Sequence, residues 1–215
     1  MNFLFHIIFI ATSFIASLTI YFQRNTPLYL RLFPPFLLVT IMVEIIGEYL
    51  RAHTGTNVKL YNPFLVFEFV FYFFMLRQII RNKIIKQIIL HLLWLYPLMA
   101  LFNIYFIQKI TIFNSMTYSF GCLLMVAICI YYFFELFQHP YSGSLFREPA
   151  FWICSGLLFF YSCSFPIFSL LNFLNNASNI IIRNLGTILN LMNDLLYLSF
   201  TIAFLCRIKA RKSMS

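Results

Sequence analysis

Apolar stretches of bilayer-crossing length, broken only by short polar or proline-marked connections, dominate this chain from end to end. A span needs about 20 mainly apolar residues. Seven segments meet that requirement, approximately 3–22, 32–50, 63–80, 84–107, 117–137, 150–172 and 185–206. Between them lie Gln23 to Pro27, Arg51 to Asn62, Arg81 to Lys83, Gln108 to Asn114, Gln138 to Pro149, and the Asn-rich Asn175 to Asn184. None of these connections holds a soluble domain of even about 40 residues. The pattern predicts an all-α polytopic membrane protein whose residues 1–215 form one seven-helix domain. Pro34-Pro35 falls in the first turns of the second helix, where proline is tolerated. Pro97 and Pro166 fall inside the fourth and sixth, where kinks are expected. The first run begins at Phe3 with no basic stretch ahead of it and no small-residue cleavage site, so it reads as a retained helix.

Composition strengthens this picture. Of 215 residues, 62% are hydrophobic and 10% charged, against roughly 25% charged in soluble domains. Lipid must therefore be the solvent for most of the apolar surface. The 29 Phe and 13 Tyr go with abundant Ile, Asn and Lys, a codon bias of an AT-rich genome rather than an aromatic cofactor box. A net charge of +9 could point to nucleic acid, but the basic residues sit in short runs between apolar segments. There they set topology and face anionic headgroups. Cys122, Cys129, Cys154, Cys163 and Cys206 are odd in number and show no CxxC spacing, so neither a disulfide framework nor a zinc site is expected. With the N-terminus outside, the inner side collects eleven basic residues: Arg24, Arg31, Arg77, Arg81, Lys83, Lys86, Arg147, Arg207, Lys209, Arg211 and Lys212. The outer side keeps four, Arg51, Lys59, Lys109 and Arg183. That split predicts N-terminus outside and C-terminus inside.

Against this background the acids stand out. Glu44, Glu48, Glu68 and Asp194 lie inside apolar stretches, where a carboxylate costs several kcal/mol unless paired, protonated or wetted and is a functional candidate by default. Glu44 and Glu48 are four residues apart on one helix face, which Arg51 continues. Counted from Pro63 and from Arg51, Glu68 and Glu44 reach similar depths of roughly 8 and 10 Å from the same side. His6 lies near the outer end of the first helix. Arg183, Thr187, Asn190, Asp194 and Tyr197 recur at helical spacing on one face of the last. If the first, second, third and seventh helices are neighbours, these groups converge in the outer half of the membrane.

Three readings of the cluster stay open. It is a structural network in which the glutamates bond to Arg51, His6, Tyr72, Asn190 and one another. Or it is a ligand-binding or proton-sensing pocket formed by Glu44, Glu48, Glu68, Asp194, Asn190, His6, Arg51, Tyr72 and Arg183. Or it is a catalytic or metal site, for which no HxxxH, HxxE or DxxD spacing is present; no metal and no cofactor is expected. His91 reads as a buried packing residue, Trp152 as an interfacial anchor, and Ser155, Ser162 and Ser164 as small packing residues. No GxSxG or SxxK marks a nucleophile. Asn176-Ala-Ser178 matches a glycosylation sequon.

The stretches Leu60-Tyr-Asn-Pro-Phe-Leu-Val-Phe-Glu68, Phe151-Trp-Ile-Cys-Ser-Gly-Leu-Leu-Phe-Phe-Tyr161 and Asn190-Leu-Met-Asn-Asp-Leu-Leu-Tyr197 together resemble a group of multi-pass inner-membrane proteins of Bacteroidetes found beside two-component signalling genes. The resemblance implies an inner-membrane location and a sensory or accessory role, and supplies no catalytic residues. Gly156-Leu-Leu-Phe-Phe-Tyr-Ser162 is similar to lysoplasmalogenase-like membrane hydrolases. Their Gly-Asp and Ser-Asp contexts correspond here to Gly47-Glu48 and Ser162-Cys163. The expected function is a sensory or accessory signalling module, more a binding protein than an enzyme, working with the bilayer and a signalling partner or a second copy, without nucleic acid. A small ion- or proton-coupled transporter is the alternative, and a lipid hydrolase the second.

Overall fold

A membrane leaves no water for backbone groups, so an apolar chain must satisfy them within helices. The computed structural model of the chain describes residues 3–23, 26–138, 144–170 and 179–212, with the side chains at 3, 4, 170, 179–183 and 207–212 excepted. The helices are α1 (Phe3–Leu18), the short α2 (Leu28–Arg31), α3 (Phe33–Thr54), α4 (Val58–Ile79), α5 (Lys83–Phe106), α6 (Ser115–Gln138), α7 (Pro149–Leu170) and α8 (Asn179–Lys212). One-turn 3-10 segments at Thr19–Phe22 and Leu145–Arg147 complete them. Among the described residues seven helical spans are long and apolar enough to cross a bilayer. The protein is a multi-pass, seven-helix membrane protein.

Six helices close a ring, each packing on the next in the order α1, α3, α4, α6, α7, α8 and back to α1. The remaining long helix, α5, stands outside the ring against α4 and α6. Its outward face carries Ile84, Ile88, Trp94, Leu98, Phe102 and Tyr105, all exposed, as a lipid-facing surface requires. His91 lies on that exposed side. This corrects the expectation of a buried packing histidine: α5 is peripheral, and its interior-facing positions are instead Ile89, Tyr96, Ala100 and Asn103.

Several boundaries differ from the sequence reading. α4 starts at Val58, so Pro63 sits inside the helix and not at its head. α8 runs to Lys212, well past the apolar stretch. Glu44 is ten residues before the end of α3 at Thr54, and Glu68 ten after the start of α4 at Val58. Both are therefore about 15 Å along their helices from the turn that joins them. The expected equal depth holds, with both acids farther from the helix ends than expected. That turn is tight because Gly55 caps α3 with φ 77°, its N–H donating to the Arg51 carbonyl at 3.1 Å; glycine reaches this left-handed conformation without a steric penalty.

Two polar clamps hold the ends of the bundle. At the end carrying the α4–α5 turn, the Glu135 carboxylate accepts from the Arg81 and Asn82 backbone N–H groups at 2.8 and 2.7 Å. Asn82 in turn caps α5, accepting from the Ile84 N–H at 2.8 Å. Glu135 is a fifth acid inside a span, overlooked because its partners are backbone groups with no residue-type signature. At the opposite end, Asn62 donates to the Ile110 and Ile112 carbonyls and accepts from the Asn114 N–H, fastening the α5–α6 connection to α4. Asn103 donates to Gln108, Asn114 and Thr117 in the same network.

The interior between these ends is aromatic. Phe33 meets Phe71, Phe200 and Phe204 edge-on at 5.2–5.4 Å, and Phe36 stacks on Phe71 at 4.0 Å. Phe69 lies 5.1 Å from Tyr161. Such offset and T-shaped pairs are the favoured aromatic geometries.

Candidate ligand cavity

The ring of helices is filled by aromatic side chains towards the α4–α5 turn, and opens towards Gly55 into a cavity of about 360 Å³. Its walls take His6 from α1, Glu44, Glu48 and Arg51 from α3, and Tyr61 and Glu68 from α4; α8 adds Asn190, Asn193 and Tyr197. The four elements expected to be neighbours are joined in the order α8, α1, α3, α4. Six of the nine candidate residues thus line one space. Asp194 and Tyr72 stand directly behind His6 and Glu68. The Arg183 side chain, the Asn176-Ala-Ser178 sequon, Arg24 and the side chains of the basic tail lie outside the described residues.

Three geometries organise the acids. Asp194, 4% exposed, accepts from His6 Nδ1–H at 2.8 Å. The other ring nitrogen, Nε2, lies 3.3 Å from the Asn193 amide, and Tyr197 packs edge-on against the imidazole at 5.9 Å. This pair binds the start of α1 to the middle of α8.

Glu44 accepts from the Tyr61 hydroxyl at 2.7 Å. The contact depends on Gly47, one turn further along α3: a Cβ there would lie 2.7 Å from the Tyr61 ring. Glycines thus permit close helix approach singly here, at Gly47, Gly121 and Gly156, without the GxxxG motif.

Glu68 is the deepest acid facing the cavity, 8% exposed. The Tyr72 hydroxyl is its near neighbour, yet that hydroxyl makes no hydrogen bond of good geometry. At the mouth, Glu48 and Arg51 form a loose, solvent-exposed pair at 3.5 Å, which contributes little to stability.

The remaining wall is aromatic and comes from the far side of the ring. Phe113, Tyr118 and Phe168 form a cluster with centroids 4.4–5.7 Å apart, joined by Phe64 and Phe160. Sequence reasoning assigned no site role to these rings or to Tyr61. Their signal was hidden in an aromatic-rich composition, and only the fold separates wall from core.

No known protein family, characterised protein or solved structure matches this chain. Its chemistry must be read from the cavity itself. No group of three or more His, Cys, Asp or Glu side chains among the described residues could hold a metal ion. Nor, among the described residues, does any Ser, Thr or Cys line the cavity to act as a nucleophile. The arrangement is suited to receiving a small polar molecule.

Proposed function

We propose that this protein is a sensory or accessory signalling module of a bacterial inner membrane, and that it binds a small polar ligand in the cavity at the Gly55 end. The observation that carries the reading is the convergence of Glu44, Glu68 and His6, the last backed by Asp194, on one cavity. Buried polar groups inside a membrane bundle that face a cavity mark a functional site. The excess of basic residues at the other end of the helices supports a cavity mouth on the exterior face. The resemblance to proteins encoded beside two-component systems fits the same role.

The aromatic packing beneath the cavity favours binding over passage. Phe33, Phe69, Phe73, Tyr161 and Phe200 are fully buried there, leaving a dead-ended site. A cysteine at Asn190 tests this directly. A small, membrane-impermeant thiol reagent is expected to modify Asn190→Cys from one membrane face only. Modification from both faces would overturn the reading in favour of a transporter.

A lipid hydrolase draws on one specific observation, the His6–Asp194 pair, since an aspartate-oriented histidine is the usual general base. Here the second ring nitrogen is already engaged by Asn193. Turnover of a phospholipid or lysolipid that is lost in Asp194→Asn would promote this option.

A further inference from the structure

We propose that the ligand of this cavity is an organic cation, a primary or quaternary amine of small-molecule size. The proposal rests on the ligand-binding reading above and names the chemistry of that site.

The charge arrangement is one-sided. Among the described side chains, three carboxylates, Glu44, Glu48 and Glu68, and one arginine, Arg51, line the cavity. Arg51 pairs with Glu48 at the mouth, and His6 is committed to Asp194. Among the described side chains, neither Glu44 nor Glu68 forms an ion pair. Glu44 has a single tyrosine donor. Glu68, more than nine-tenths buried, has none with good geometry. A network built only to fix helix register would supply donors to both, because a buried charge left unpaired costs several kcal/mol. The missing partner is a positive charge, and the space for it lies in front of both acids.

The opposite wall says what kind of cation. Phe113, Tyr118 and Phe168 present a ring cluster from the α5–α6 connection, α6 and α7, facing acids that come from α3 and α4. A cation over an aromatic face is held by the ring quadrupole, most strongly where water is excluded, and quaternary ammonium groups are bound this way. An inorganic ion would seek oxygen ligands all round, and Phe113 and Phe168 offer none. The volume of about 360 Å³ falls in the range of small-molecule sites, roughly 300–1,000 Å³.

The test uses the purified full chain in lipid nanodiscs, with choline and phenethylamine as probes. Their uncharged counterparts are choline's carbon isostere and phenethyl alcohol, and calcium chloride serves as the inorganic cation. Titration calorimetry and the thermal unfolding midpoint are read together. Saturable binding and a raised midpoint are expected with at least one amine, and the matched neutral compound should bind about tenfold more weakly or worse. Glu68→Gln and Glu44→Gln should each weaken amine binding by about tenfold or more. Should Glu68→Gln not fold, Phe168→Leu is expected to weaken the amine several-fold while leaving the neutral compound unchanged. Equal binding of amine and neutral counterpart overturns the cation assignment and leaves the ligand-binding reading standing. A response to calcium alone also overturns it, in favour of an inorganic ion. No response to any probe overturns both readings.

Discussion

At the scale of single residues, the acids divide by what faces them. Asp194 and Glu135 are satisfied by donors on other helices and turns, and Glu44 and Glu68 look into open space. The first two should therefore matter to stability. His6→Ala and Asp194→Ala, made singly and together, are expected to show a coupling of about 1 kcal/mol in a double-mutant unfolding cycle, the scale of interhelical polar pairs in membranes. Additive effects would mean the pair contributes nothing. Glu135→Gln turns one acceptor into an amide donor facing a backbone N–H, so one buried donor loses its partner. A loss of about 1–3 kcal/mol is expected from that, measured as a lowered unfolding midpoint that Asn82→Ala does not lower further in full.

At the scale of elements, Gly47 makes the sharpest prediction. The Tyr61 ring fills the space a side chain at that position would need, and the ring tip can swing aside. Gly47→Ala should therefore break the Tyr61–Glu44 hydrogen bond while α3 itself forms well, since alanine favours helix more than glycine by about 1 kcal/mol. Expected are an unchanged or raised unfolding midpoint and a cavity altered as in Tyr61→Phe, read by reactivity of a cysteine at Asn190. A large fall in stability would show that Tyr61 cannot move. The same helices show what a linear chain discloses. Seven spans were legible because lipid forces every backbone group into helical hydrogen bonds and so writes each span as one long apolar run. The matched depth of Glu44 and Glu68 was legible because both count from the same short turn. The apolar run of the third span reads as starting at Pro63, after the polar connection; the helix begins one and a half turns earlier, with Asn62 anchoring the α5–α6 connection. The exclusion of α5 from the ring was not legible. It depends on which of several similar apolar faces pack together, and that outward placement is what leaves His91 exposed.

At the scale of the whole molecule, everything proposed for the cavity depends on which way the bundle crosses the bilayer. The basic residues argue for one answer, because Lys and Arg near span ends are retained on the inner side. Arg77, Arg81, Lys83 and Lys86 crowd the α4–α5 turn, whereas the Gly55–Asn57 turn beside the cavity mouth is flanked only by Arg51 and Lys59. Thr56 and Lys83 are both exposed and flank opposite ends of α4. Cys122, Cys129 and Cys154 are buried, so replacing Cys163 and Cys206 by serine leaves a background of low thiol reactivity. In intact cells, an impermeant maleimide is expected to label Thr56→Cys and to reach Lys83→Cys only after permeabilisation. The reverse pattern would turn the cavity towards the cytoplasm. The acids would then sample intracellular solutes, and an external ligand could no longer be the signal.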